Sequence, residues 1–246
     1  MSKYTYNLYN KTIRLTFDEE AYKYTVNGKV VVSPSSILSR IAKPFLAVWG
    51  AKEACNYIKS NLYDGALYSK QDVNELVPEA IKAHQKKAKT ATDFGTRVHL
   101  WLENYIKGKE TEVFESDSAE DVCIQHLLKW QQENSVEFIM SEKKVYSIED
   151  NLAGTADVVF RMNGELFLGD FKTSKQISED YYLQLSFYAK ALEEMDSKLK
   201  FDKTAIILMT KAGEFQVVFR DSWHEDYKVF KKLLEVVRWI DLNATH

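Results

Sequence analysis

The chain has 246 residues, of which 45% are apolar and 28% charged, with three prolines and a net charge of −3. This composition excludes a disordered chain and supplies apolar mass for one large domain, or for one domain with a helical elaboration. A small acid excess argues weakly against a protein that coats nucleic acid, and it leaves room for phosphate contacts confined to one groove.

No stretch approaches the roughly 18 consecutive apolar residues that cross a bilayer. The opening residues lack the apolar run of a secretory signal. The expectation is therefore an intracellular, cytoplasmic protein with no membrane partner. Two cysteines, Cys55 and Cys123, are too few for a disulfide framework and read as small buried side chains.

Residues 12–17 alternate apolar and polar, and residues 22–32 continue in β-branched and aromatic character around Asn27-Gly28, a hairpin turn signal. Ser33-Pro34 opens a helix, with serine as N-cap and proline in the first turn. Ile37, Leu38 and Ile41 give that helix an apolar face, and Lys43-Pro44 breaks it. A second helix is expected from Phe45 to about Ser60. Residues 61–92 are polar, with helical stretches and a basic run of Lys82, Lys86, Lys87 and Lys89.

Thr92 or Asp93 is the expected cap of the next helix, which stops at Gly108. An acidic loop follows, then an amphipathic helix over about 119–133. Residues 137–147 read as one or two strands. Residues 156–161 and 165–171 read as strands joined at Asn163-Gly164. A helix over 181–195, a hairpin around Ala212-Gly213 and a terminal helix over 223–241 complete the chain. The order predicts an α/β fold: a central mixed β-sheet flanked by helices, with a mostly helical N-terminal elaboration. The expected division is 1–91 and 92–246.

The chemistry-bearing stretch runs from Glu142 to Tyr188. Gly154-Thr155-Ala156-Asp157 precedes the Asn-Gly hairpin, and Gly169-Asp170-Phe171-Lys172-Thr173-Ser174-Lys175 follows it. The hairpin brings Asp157 and Asp170 to one end of a strand pair. Asp170 and Lys172 are two apart and share a face, while Phe171 turns to the core. Two carboxylates and an ammonium suit phosphodiester hydrolysis with Mg²⁺ or Mn²⁺, because hard oxygen ligands hold such ions and a cation offsets developing phosphoryl charge.

An isolated Asp-x-Lys is more often a surface salt bridge, and an isolated histidine more often structural. Here three further elements accompany them. His99 and Glu103 sit one helical turn apart after Gly95. Glu142 precedes Asp157 on a strand. Gln184 and Tyr188 share a face of the helix after the lysine.

A helix with Gly and His, a strand with Gly-Thr-Ala-Asp, a hairpin, Asp-Phe-Lys-Thr and a Gln-x-x-x-Tyr helix together resemble the PD-(D/E)xK nuclease superfamily, in its RecB-like, lambda-type exonuclease branch. The resemblance covers about residues 92–192. Residues 34–38 and Trp49 resemble the N-terminal regions of phage-encoded members, which implies a bacterial or phage-infected host cell.

The resemblance implies a restriction-endonuclease-like core and a metal-dependent DNA exonuclease in replication, recombination or repair. His99, Asp157 and Asp170 would be metal ligands with the Phe171 carbonyl, holding one or two ions. Lys172 would be the catalytic lysine. Glu103 would orient a ligand, and Gln184 and Tyr188 would contact DNA or support Lys172. Thr173, Lys175 and Arg97, with Lys86, Lys87 and Lys89, are the expected phosphate contacts; Trp49 and Tyr68 are candidates for base stacking. Two cysteines cannot hold an iron–sulfur cluster. Expected partners are DNA with free ends or single strands, and a recombinase, helicase or single-strand-binding protein. The alternative is a catalytically silent or partner-dependent nucleic-acid-binding module of the same fold.

Overall fold

The computed structural model describes residues 3–41, 43 and 45–244, residue 45 through its backbone only. The expected break at Lys43-Pro44 falls in part outside these residues. Strands β1 (Lys3–Leu8), β2 (Ile13–Asp18), β3 (Lys23–Val26) and β4 (Lys29–Val31) form an antiparallel meander. The turn after β3 uses Asn27 and Gly28 at φ 48° and 83°, the left-handed pair that a tight hairpin requires. Helix α1 (Pro34–Leu38) is capped by Ser33, whose hydroxyl accepts from Ser36 N. Ile37 and Leu38 are buried, whereas the third expected apolar residue, Ile41, lies beyond the helix and is exposed.

The second sheet is mixed and five-stranded, in the order β5 (Glu137–Ser147), β6 (Leu152–Met162), β7 (Glu165–Lys172), β8 (Lys203–Met209), β9 (Phe215–Arg220). Only β7 and β8 run parallel, and α5 (Glu179–Met195) makes the crossover between them. Asn163 and Gly164 close the β6–β7 hairpin at φ 52° and 83°. Helix α4 (Ala119–Glu133) starts at a Ser118 cap, and α6 (Trp223–Asn243) ends the chain. Trp223, Phe230, Leu234 and Val237 of α6 share a core cluster with Leu185, Phe187 and Leu192 of α5 and with Leu166 and Leu168 of β7. The apolar stripe of the terminal helix is thus used within the fold. None of the described helices is long and apolar enough to cross a membrane.

Two compact units divide the chain, Met1–Ile41 with Arg97–His246, and Ala42–Thr96. This differs from the expected division at residue 91. The first sheet belongs with the second: Leu15, Tyr24, Val26 and Val31 pack with Tyr146 and Ala153, and Val32 bridges to Leu152. The second unit comprises α2 (Phe45–Asn61) and most of α3 (Lys70–Ile106).

The expected helix start at Thr92 or Asp93 is not there. The helix begins at a reciprocal capping box, in which Ser69 Oγ accepts from Asp72 N and Asp72 Oδ2 accepts from Ser69 N. Thr92 lies inside the helix, its hydroxyl donating to the Ala88 carbonyl four residues back. Gly108, at φ 63°, follows the end as expected. Cys123 is buried as expected; Cys55 is exposed, contrary to the reading of both as core residues.

Candidate functional site

Register sets the site. Ser141 pairs with Val158 and Lys143 with Ala156, which leaves Glu142 opposite Asp157. Val158 pairs with Gly169, which leaves Asp157 opposite Asp170 one step beyond the last paired residues. Three carboxylates therefore lie across three neighbouring strands. Glu142 adopts φ 52° inside its strand, a conformation that non-glycine residues avoid. Such strain persists only where the surroundings over-determine it. Asp157 ends its ladder differently, as Oδ2 accepts from Phe171 N at 3.1 Å.

His99, on the last turns of α3, places Nδ1 3.7 Å from Asp157 Oδ2 and its ring edge-on to Phe171. His99, Glu142 and Asp157 each offer a ligand atom, and these atoms lie within 4.8 Å of one another. Two carboxylates and an imidazole form a donor set that a divalent cation accepts.

The expected ligand set named Asp170 in place of Glu142. Asp170 instead faces Lys172, with Oδ2 2.5 Å from Nζ. The buried Asp170 carboxylate thus has the Lys172 ammonium as its counter-ion.

Lys172 is fixed on three sides. Besides Asp170, its Nζ donates to Gln184 Oε1 at 3.2 Å and lies 4.6 Å from the centre of the Tyr181 ring. Burial works against the ammonium, but the Asp170 and Asp157 carboxylates outweigh it and hold its pKa above the ordinary lysine value. Tyr181, Gln184 and Tyr188 are spaced to share one stripe of α5.

Burial, reinforced by Asp170, pushes the Asp157 carboxyl well above its usual range. Glu142 is also raised, by burial first and by Glu103 in part, while Lys144, 3.6 Å from Oε2, opposes the shift. Burial lowers the His99 pKa, so the imidazole is neutral at neutral pH and has a lone pair to share. Tyr188 is buried and its phenol raised well above the ordinary value, again by burial.

The other expected residues have the following surroundings. Glu103 lies near enough to raise Glu142 but is bound at 2.5 Å to Lys107, just past the end of its helix. Arg97 is held by Glu112 at 2.9 Å and Glu120 at 3.0 Å. In the second unit, Lys86 pairs with Glu79 and Lys87 with Glu53. Trp49 lies edge-on to His84, and the Tyr68 hydroxyl accepts from Tyr63 N. Thr173 and Lys175 follow β7 directly, Thr173 half-buried and Lys175 exposed.

Three contributors escaped the sequence reading. Tyr181 has helical spacing from Gln184 and was legible in principle. Ser35, whose Oγ accepts from Gln184 Nε2 at 2.9 Å, is 149 residues away, and no local signal points to it. Tyr24 reaches Thr155 Oγ1 at 2.8 Å from the first sheet. No protein-family model matches the chain, and no curated protein matches it significantly.

Proposed function

We propose that this chain is a divalent-metal-dependent deoxyribonuclease of the PD-(D/E)xK type, with a restriction-endonuclease-like core, hydrolysing phosphodiester bonds from DNA ends. The observation that carries the reading is the row Glu142, Asp157, Asp170 across three strands, with the Lys172 ammonium fixed 2.5 Å from Asp170. Acidic residues in a buried row repel one another, and a fold tolerates them where a cation is to be held.

His99, Glu142 and Asp157, with Asp170 opposite Asp157, would hold Mg²⁺ or Mn²⁺. When bound, the ion supplies Lewis acidity toward a phosphoryl oxygen. The chain's own residues do the rest. Lys172, cationic because two carboxylates stabilise it, presents fixed positive charge where charge develops on phosphorus. Gln184 and Tyr181 hold that ammonium in place, so it need not reorganise as the phosphate reacts. His99, neutral by burial, accepts rather than repels a cation.

DNA as substrate, and action from its ends in recombination or repair, come from the resemblance of the motif order. The experiment is a comparison of linear DNA with covalently closed circles of the same sequence, in Mn²⁺. Loss of linear DNA with release of short products, and survival of the circles, is the expected result. Cutting of both at equal rates would make the protein an endonuclease, and no cutting of either would remove the hydrolase reading.

A further inference from the structure

We propose that Ser35 is a positioning residue for this reaction, acting through the Gln184 amide on the Lys172 ammonium. The inference rests on the hydrolase reading above and adds a residue to it. A lysine ammonium only donates hydrogen bonds, so the amide atom 3.2 Å from it must be the carbonyl Oε1. The amide nitrogen is then turned away and needs an acceptor. Ser35 Oγ takes it at 2.9 Å, while the Tyr188 hydroxyl stands at 3.5 Å. Without Ser35 the amide nitrogen keeps only the long contact to Tyr188, and the amide holds the ammonium less firmly.

Ser35 is itself well anchored. Helix α1 starts at Pro34 under the Ser33 cap, and Ile37 and Leu38 sink into the core cluster that contains Leu185 and Tyr188 of α5. The hydroxyl is thereby presented to α5 by a rigid turn. Yet Ser35 is itself solvent-exposed, so its hydroxyl can be removed without opening the core.

The test compares wild type, Ser35→Ala, Ser35→Thr, Gln184→Ala and the Ser35→Ala/Gln184→Ala double variant on linear DNA in Mn²⁺. Ser35→Ala should lower kcat about tenfold with KM within about twofold, since the hydroxyl orients a catalytic charge and does not bind substrate. Ser35→Thr should recover to within about threefold of wild type, because it keeps the acceptor. In the Gln184→Ala background the serine substitution should add nothing. Wild-type kcat in Ser35→Ala, or a full further loss in the double variant, would overturn the proposal.

A second readout needs neither metal nor DNA. The side-chain NH₂ of Gln184, observed by ¹⁵N NMR, should exchange with water slowly in wild type and faster in Ser35→Ala; equal rates overturn the clamp. If wild type hydrolyses no DNA while this difference in exchange is seen, the hydrolase reading fails and the clamp stands as a structural contact.

Discussion

A Cβ added to Gly154 would lie 2.7 Å from Cε1 of Tyr188 and 2.9 Å from its hydroxyl oxygen. The glycine is thus needed for close approach: strand β6 lets a buried tyrosine ring of α5 lie against its backbone three residues before Asp157. Gly154→Ala must displace either the ring or the strand that carries the carboxylate. The expected cost is about 1–3 kcal/mol, the range for overpacking a core. Urea unfolding measures it. In a Tyr188→Ala background the same substitution should cost markedly less, because the clash is gone.

Lys172→Met removes the cation beside Asp170, which is 3% exposed. A buried carboxylate left without its counter-ion costs about 3–5 kcal/mol. Lys172→Met/Asp170→Asn should be substantially less destabilised than Lys172→Met alone, since the uncompensated charge is then absent. Chemical denaturation of the two variants beside wild type decides the matter.

These relationships differ in how far the sequence foreshadows them. Turns are local chemistry, so Asn27-Gly28 and Asn163-Gly164 are readable from two residues. The placement of Asp157 opposite Asp170 follows from the hairpin, and the shared face of Asp170 and Lys172 from strand pleating. Glu142 is different: its place opposite Asp157 depends on the register of a strand pair that bulges between Phe138 and Met140 and on its own positive φ, which periodicity does not reveal. The ion pairs of the basic run are a separate matter. Glu79 is two turns before Lys86 on α3 and readable from helical spacing, whereas Glu53 reaches Lys87 from α2 and is not. The start of α3 was misread because Thr92 and Asp93 have cap chemistry, while the real cap, Ser69 with Asp72, lies in a polar stretch with weak apolar periodicity.

The raised carboxyls give the metal-free protein a definite pH dependence. Asp157 and Glu142 contribute stability that is fully present below their ordinary values of 3.8 and 4.5 and is lost as pH rises through their elevated folded values. His99 acts in the opposite sense: its contribution is present above 6.5 and is lost as pH falls through its depressed folded value. Asp157→Asn keeps an acceptor for Phe171 N and removes the buried charge. It should flatten the decline in stability from about pH 4 upward, as measured by urea midpoints across that range. Mn²⁺ should raise the wild-type midpoint and leave Asp157→Asn unmoved, with apparent Mn²⁺ affinity falling as acid protonates the two carboxyls.

A second buried charge pair provides a control remote from this chemistry. Asp150, fully buried in the β5–β6 turn, accepts from the Tyr227 hydroxyl at 2.8 Å and pairs with Lys231 at 2.5 Å, tying the turn to α6. Lys231→Met should destabilise by about 3 kcal/mol. The folded fraction should bind Mn²⁺ as wild type does, read by calorimetry at a temperature where the variant is folded; weakened binding would mean that the turn and the carboxylate row are coupled.

As proposed, the carboxylate row and Lys172 form a metal-dependent phosphodiesterase site. The most direct measurement is hydrolysis of end-labelled single- and double-stranded DNA by wild type, Asp170→Ala and Lys172→Ala, each in Mg²⁺, Mn²⁺ or EDTA. Label release by wild type in a divalent metal, none in EDTA, and a loss of about a hundredfold or more in both folded variants is the predicted result. Equal label release by wild type and Lys172→Ala, or release undiminished in EDTA, would mean that the row and Lys172 are not the site of hydrolysis.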